Sequence, residues 1–127
     1  MPADPNMNIL CVDDFSTMRR IIIGLLKQLG FRNIAEADDG STAMEYLKDN
    51  QVDFIVSDWN MPKMTGLDLL KAVRSNEKYK AVPFLMVTAE SEKDHILAAV
   101  KAGVSNYVVK PFKADVLQEK ITKIFGG

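Results

Sequence analysis

The stretch Phe54-Ile55-Val56-Ser57-Asp58-Trp59-Asn60-Met61-Pro62 decides how the chain is read. Phe54 to Ser57 has the length and branching of a buried strand, and Pro62 forbids its continuation, so Asp58 stands at the strand's C-terminal edge. Open parallel sheets bind ligands at that edge. Taken alone, a carboxylate there is more simply a loop-capping Asp. Its meaning depends on what the other strands bring to the same edge.

Upstream, Asn8 to Val12 is a short apolar run ended by Asp13-Asp14. Ser16 is the expected N-cap of a helix in which Met18, Ile21, Ile22, Leu25, Leu26 and Leu29 recur at helical spacing until Gly30. Asn33 to Ala37 is a weaker strand with Asp38-Asp39-Gly40 as its turn, and Ala43, Met44 and Leu47 mark a second helix. Downstream, Thr65-Gly66 leads into a third helical face of Leu67, Leu69, Leu70 and Val73, followed by a polar, loop-like stretch over 76–82. Pro83 to Thr88 carries Phe84, Leu85, Met86 and Val87, a continuous apolar strand of the kind found where both sheet faces are covered. Ile96, Leu97, Ala99 and Val100 suit a fourth helix stopped by Gly103, and Asn106 to Val109 is a short strand before Lys110-Pro111. Val116, Leu117, Ile121, Ile124 and Phe125 form the last helical face. This alternation implies an α/β fold: a five-stranded parallel sheet with helices on both faces, joined by right-handed crossovers.

Length and composition limit what surrounds Asp58. The chain has 127 residues, 47% of them hydrophobic, enough for one compact domain over 1–127 with a real core and no room for a second. The N-terminal residues 1–7 read as a loose tail that lacks the basic and hydrophobic parts of a signal peptide. Sixteen basic and 17 acidic residues leave a formal charge of -1, which points to neither a nucleic-acid binder nor a membrane-surface binder. No apolar stretch is long enough for a membrane-spanning helix. The single Cys11 lies in an apolar run and has no partner for a disulfide, so it reads as a buried, inert thiol in a reducing, cytoplasmic setting.

Collecting the strand ends brings out the chemistry. They place Asp13-Asp14, Asp58, Thr88 and Lys110 on one rim of the sheet. Each has a bland alternative: a solvated helix cap, a β-branched strand residue, a surface charge. Together, three mutually repelling carboxylates suit a hard divalent cation with oxygen ligands, and Mg²⁺ fits carboxylates, a carbonyl, waters and a phosphate oxygen. A carboxylate beside a metal and a Lys can attack a phosphoryl group, with the Thr hydroxyl donating to another oxygen. Phosphoryl transfer to an Asp is the chemistry these residue types fit best.

Val12-Asp13-Asp14-Phe15-Ser16-Thr17-Met18-Arg19-Arg20, Ser57-Asp58-Trp59-Asn60-Met61-Pro62, Thr88-Ala89 and Tyr107-Val108-Val109-Lys110-Pro111-Phe112 resemble the receiver domain of two-component response regulators, and specifically its single-domain chemotaxis members. The resemblance covers residues 8 to 125 and rests on separated motifs that agree in order. It implies the flavodoxin-like (βα)5 receiver fold with strand order 2-1-3-4-5. It also implies a signalling phosphoprotein rather than an enzyme, one that takes part in its own Mg²⁺-dependent phosphotransfer and dephosphorylation.

In that family's terms Asp58 is the phospho-acceptor, and Asp14, Asp58 and the backbone carbonyl of Asn60 are metal ligands, with Asp13 acting mainly through water. Lys110 contacts first the acceptor carboxylate and then the phosphoryl oxygens; Thr88 donates to the phosphoryl group, Ala89 leaves it room, and the Lys110-Pro111 bond is cis. The resemblance makes Thr88 and Tyr107 a switch pair, in which Thr88 moves toward phosphate and Tyr107 turns into the space it leaves. Val109, Phe112, Lys113, Lys120 and Lys123 would then supply a partner surface on the fourth helix, fifth strand and fifth helix, suited to an acidic or amphipathic segment. The implied partners are a chemotaxis histidine kinase and the flagellar motor switch protein, with room for a phosphatase, and the implied state is a monomer.

Some residues depart from the pattern or carry no clear role. Lys113 stands where the family often has a small hydroxyl residue, and Ser91-Glu92 replaces a more neutral or basic start to the fourth helix. Trp59 reads as a partly exposed neighbour of the site, His95 as a helix-surface residue away from the rim, and Glu90 as an exposed loop acid or an influence on the dephosphorylating water. The alternative functions are a metal-dependent phosphohydrolase with an Asp nucleophile, which would want a second nearby acid and a substrate cap, and a flavodoxin-like nucleotide binder. The latter would want a Gly-, Ser- or Thr-rich loop after the first strand, where this chain has two acids.

Overall fold

The structure, a computed structural model, describes residues 3–89 and 93–126, so the readings of Glu90 and Ser91-Glu92 fall outside the described residues. The elements run β1 (Asn8–Val12), α1 (Ser16–Gln28), β2 (Asn33–Ala37), α2 (Gly40–Asp49), β3 (Phe54–Asp58), α3 (Gly66–Ser75), β4 (Phe84–Ala89), α4 (Lys93–Lys101), β5 (Asn106–Lys110) and α5 (Ala114–Phe125). The strands form one parallel sheet in the order β2-β1-β3-β4-β5. This is the flavodoxin-like receiver topology, with β3 at the centre and all five of its residues buried.

Because strand side chains alternate between faces, each strand feeds two cores. Leu10, Val12, Ile55, Phe84 and Met86 meet Leu47, Leu69, Leu70, Val73 and Ala99 of α2, α3 and α4. Ile9, Cys11, Phe54, Val56, Leu85, Val87 and Val108 meet Ile22 and Leu26 of α1 and Leu117 and Ile121 of α5. A continuous apolar strand is therefore required by the topology: β3 and the Phe84 to Thr88 part of β4 are buried on both faces. Each such side chain, fully buried, contributes about 1.5–3 kcal/mol. Phe54 adds an edge-on ring contact to Phe125 at 5.2 Å, tying the central strand to the last turn of α5.

The helix starts show how polar residues direct the chain. Asp39 caps α2 by accepting from the backbone N–H of Ser41 and Thr42, and Thr65 caps α3 in a reciprocal box with Asp68. Ser16 is not a cap. It is the first residue of α1, and Phe15 holds the cap position without a side-chain bond. The turn is instead made one step earlier, where Asp13 Oδ1 accepts from Phe15 N–H at 2.9 Å. Gly30 and Gly103 end their helices with φ of 103° and 93°, a region that suits glycine.

Three further expectations are corrected. Residues 3–7 are held rather than loose: Arg32 N–H donates to Pro5 O, Asn33 Nδ2 donates to Asn6 O, and Met7 is buried in the α1/α5 core. Leu97 and Val100 are about 60% and 58% exposed, leaving Ala99 as the buried residue of α4, so this helix meets the sheet through a small side chain. Ile21, at 52% exposed, likewise stands outside the core that Ile22 and Leu26 enter.

Candidate active site

The parallel topology carries β1, β3, β4 and β5 to one rim, and the register fixes how their ends align. Val12 pairs with Ser57 and Asp58 with Val87, while Thr88 pairs with Val109 and Ala89 with Lys110. Asp13, Asp14 and Asp58 each place a carboxylate oxygen within 4.8 Å of the others. Asp13 and Asp58 are buried and Asp14 is exposed. Lys110 Nζ sits 2.7 Å from Asp58 Oδ1, a charge contact rather than a well-directed hydrogen bond. These residues, Asn60 and the apolar side chains Phe15, Met18 and Ile21 line a cavity of about 580 Å³.

Placing this much acid in one spot has an electrostatic cost. The Asp13 carboxyl is raised to about 6, first by burial and further by Asp58 and Asp14, against the opposing pull of the Phe15 N–H and Lys110. Its Oδ2 is buried with no hydrogen-bond partner among the described residues. An oxygen-rich, under-neutralised cluster with an orphaned buried carboxylate oxygen fits a hard divalent cation such as Mg²⁺. Cys11 takes no part, since burial pushes its thiol up to about 12.

Thr88, one residue beyond the register partner of Asp58, is 2% exposed and its hydroxyl also has no partner among the described residues. A buried hydroxyl usually finds one. Tyr107 pairs with Met86 in register, so it lies diagonal to Thr88 on the α3/α4 face, packed against that core with Lys120 Nζ 5.1 Å from its ring centre. The cis Lys110-Pro111 bond expected from the resemblance is present.

Two neighbours of the site differ from expectation. Trp59 is buried, 8% exposed, and its ring stacks at 4.1 Å on His95, which α4 brings to the acceptor strand instead of leaving it on a remote helix surface. No local pattern links residues 36 apart in sequence; only the fold pairs them. Gly66 is a second neighbour that no local pattern marks: a Cβ there would collide with the backbone carbonyl of Asp58, so α3 can begin against the acceptor strand only with glycine. The proposed partner residues are not uniformly free. Lys113 is exposed, whereas Val109 is half-buried, Phe112 packs on the α1/α5 core, and Lys123 pairs with Glu119 at 3.2 Å.

A parallel sheet in this order, with acids, a hydroxyl and a lysine on its rim, defines the receiver class. Residues 9–122 match the response regulator receiver domain, and the chain belongs to that family. Within it the chain is CheY-like: it is 64% identical over 119 residues to the chemotaxis protein CheY of Pseudomonas aeruginosa, covering 94% of this chain and 96% of that one. Among solved structures it superposes on the chemotaxis response regulator CheY4 of Vibrio cholerae with a TM-score of 0.85 at 32% identity, over 94% and 98% of the two chains. It also superposes at 0.85, with 27% identity over 96% and 99%, on the receiver domain of a Pseudomonas aeruginosa sensor histidine kinase that holds a magnesium ion in its active site cleft.

Proposed function

We propose that this protein is a chemotaxis response regulator that accepts a phosphoryl group on Asp58 from a histidine kinase. The observation that carries the reading is the Asp58 carboxylate held 2.7 Å from Lys110 Nζ within a three-carboxylate cluster. An isolated structural ion pair would not gather two more acids around itself. An Asp58 oxygen attacks phosphorus, a P–O bond forms as the P–N bond of the donor phosphohistidine breaks, and the imidazole leaves with the electron pair. Lys110 follows the negative charge from the carboxylate onto the phosphoryl oxygens. Thr88, whose hydroxyl has no other partner among the described residues, donates to one of them. Asp13, Asp14, Asp58 and the Asn60 carbonyl would hold Mg²⁺, which when bound neutralises charge on the transferring group.

Output follows from Thr88. Its move toward phosphate frees space beside Tyr107, whose reorientation biases the surface of α4, β5 and α5 between two states. That surface, with exposed Leu97, Val100 and Val116 and with Lys113, meets the flagellar motor switch protein; a phosphatase resets the cycle. The protein works as a cytoplasmic monomer and signals without acting as an enzyme on other substrates. In line with that location, no described helix is long and apolar enough to cross a membrane.

Incubation with Mg²⁺ and a small phosphodonor is expected to yield one acid-stable, base-labile acyl phosphate, absent in Asp58→Asn. Labelling that survives the substitution would overturn the acceptor assignment. Binding to the motor switch protein is expected to strengthen on phosphorylation, and unchanged affinity would overturn the output.

A further inference from the structure

Arg19, in the first turn of α1, makes two contacts that no part of the phosphotransfer uses. Its Nη1 donates to the backbone carbonyl of Asp13 at 2.6 Å, and its Nε donates to Glu36 Oε1 on β2 at 2.7 Å. The Arg19 side chain is 18% exposed and its bond to Asp13 O is part-buried, whereas Glu36 is 52% exposed, so the carbonyl contact is the sheltered arm of the fork and the ion pair lies near the surface. Glu36 is the register partner of Cys11, two residues before Asp13. The guanidinium therefore spans from the edge strand to the first carbonyl past the end of β1.

That carbonyl belongs to the peptide linking Asp13 to Asp14, and a peptide unit is planar. Asp13 N–H is already committed to Ala37 O at 3.1 Å, and Oδ1 to Phe15 N–H. With the carbonyl oxygen held as well, Oδ2 is the one Asp13 oxygen without a partner among the described residues, and Asp14 leaves the turn in a fixed direction. Without the guanidinium, repulsion among three carboxylates within 4.8 Å favours rotating that peptide and swinging the exposed Asp14 away into solvent.

Resting on the metal-dependent reading above, we propose that Arg19 is a positioning residue that holds the Asp13-Asp14 turn in its metal-binding geometry, braced by Glu36. The role depends on the planar fork and not on charge alone. A lysine supplies one point of donation and cannot reach a carbonyl and a carboxylate in the same plane.

The test is a Mg²⁺ titration of the full chain, read by Trp59 fluorescence and by calorimetry, for the parent, Arg19→Ala, Arg19→Lys and Glu36→Gln, with thermal unfolding of each in the absence of metal. Arg19→Ala and Arg19→Lys are expected to weaken Mg²⁺ binding about tenfold or more, as is typical when a group supporting a metal ligand is lost. Glu36→Gln, which keeps an acceptor, should weaken it less. Phosphorylation by a small phosphodonor should fall in the Arg19 variants at low Mg²⁺ and recover toward the parent at saturating Mg²⁺. Parent-like Mg²⁺ affinity in both Arg19 variants would overturn the inference, and a lowered Tm with unchanged affinity would reduce Arg19 to a structural brace. If Arg19→Ala fails to fold, Arg19→Lys and Glu36→Gln decide. A parent that binds no Mg²⁺ removes the metal reading itself, and this inference with it; a parent that binds alongside unchanged variants removes only this one.

Discussion

At the N-terminal end of the strands, Arg74 donates to Gly103 O, Lys80 O and Val82 O at 2.7–3.1 Å and reaches Ser105 Oγ at 3.4 Å. Ser105 Oγ in turn accepts from Phe84 N–H, and Asp53 Oδ2 accepts from Asn8 N–H. At the C-terminal end, Asp13 Oδ2 and Thr88 Oγ1 have no partner among the described residues, and three carboxylates crowd one lysine. One end saturates its polar groups and locks two loops to α3. The other leaves its polar groups short of partners. Unpaired buried polar atoms cost stability, and on the proposed function a cation and a phosphoryl group would supply what the protein withholds.

The contrast predicts opposite signs for substitutions at the two ends. The largest effect is expected for Arg74→Ala, which strips donors from four acceptors: a loss of about 3 kcal/mol in urea unfolding with unchanged Mg²⁺ affinity. A loss below about 1 kcal/mol would mean that water replaces the guanidinium without penalty, and the comparison would break.

Next comes Asp13→Asn, which should stabilise the metal-free protein at neutral pH by about 2 kcal/mol while weakening Mg²⁺ binding. The sign follows from linkage. The folded-state value of about 6 lies above the ordinary 3.8, so the folded protein holds the proton more tightly. The stabilising contribution of Asp13 is then complete below about pH 4, lost as pH rises from 4 to 6, and amounts to about 3 kcal/mol at most. Asp13→Asn should flatten that window in metal-free unfolding curves, and Mg²⁺ affinity of the parent should drop below about pH 6 as Asp13 protonates.

Thr88→Val replaces a hydroxyl that has no partner among the described residues with a methyl group of similar shape. Its stability should stay within about 1 kcal/mol of the parent, on the stabilising side, while the phosphate-induced gain in target affinity disappears. A large destabilisation would show that Thr88 does structural work unrelated to switching. Lys123→Ala, which removes an exposed pair with Glu119, should change stability by less than about 0.5 kcal/mol, and a larger shift would mark α5 as more tightly constrained than its exposure suggests.

Several features were legible because they are local. β1 and β2 fall at the expected residues, and β3, β4 and β5 within one residue, since an apolar run between turn residues leaves few alternatives. Asp13, Asp14, Asp58, Thr88 and Lys110 could be assigned to one rim because every strand of a parallel sheet ends at the same side. The periodicity of α4 was misleading, since Leu97 and Val100 satisfy helical spacing yet face solvent. Apolar spacing shows that a helix has a face, but cannot say whether that face meets the sheet or a partner.

The alternation of strands and helices, the chemistry at the strand ends and, through the motifs, the family are all written in the order of the residues. Tertiary structure alone decided that Trp59 is buried against His95, that Arg19 grips the carbonyl of Asp13 while leaning on Glu36, and that α3 needs Gly66 to start beside Asp58. The physical reason is separation along the chain. Periodicity and turn chemistry act over a few residues, whereas these contacts join segments brought together only when parallel strands align in register and the crossovers between them close.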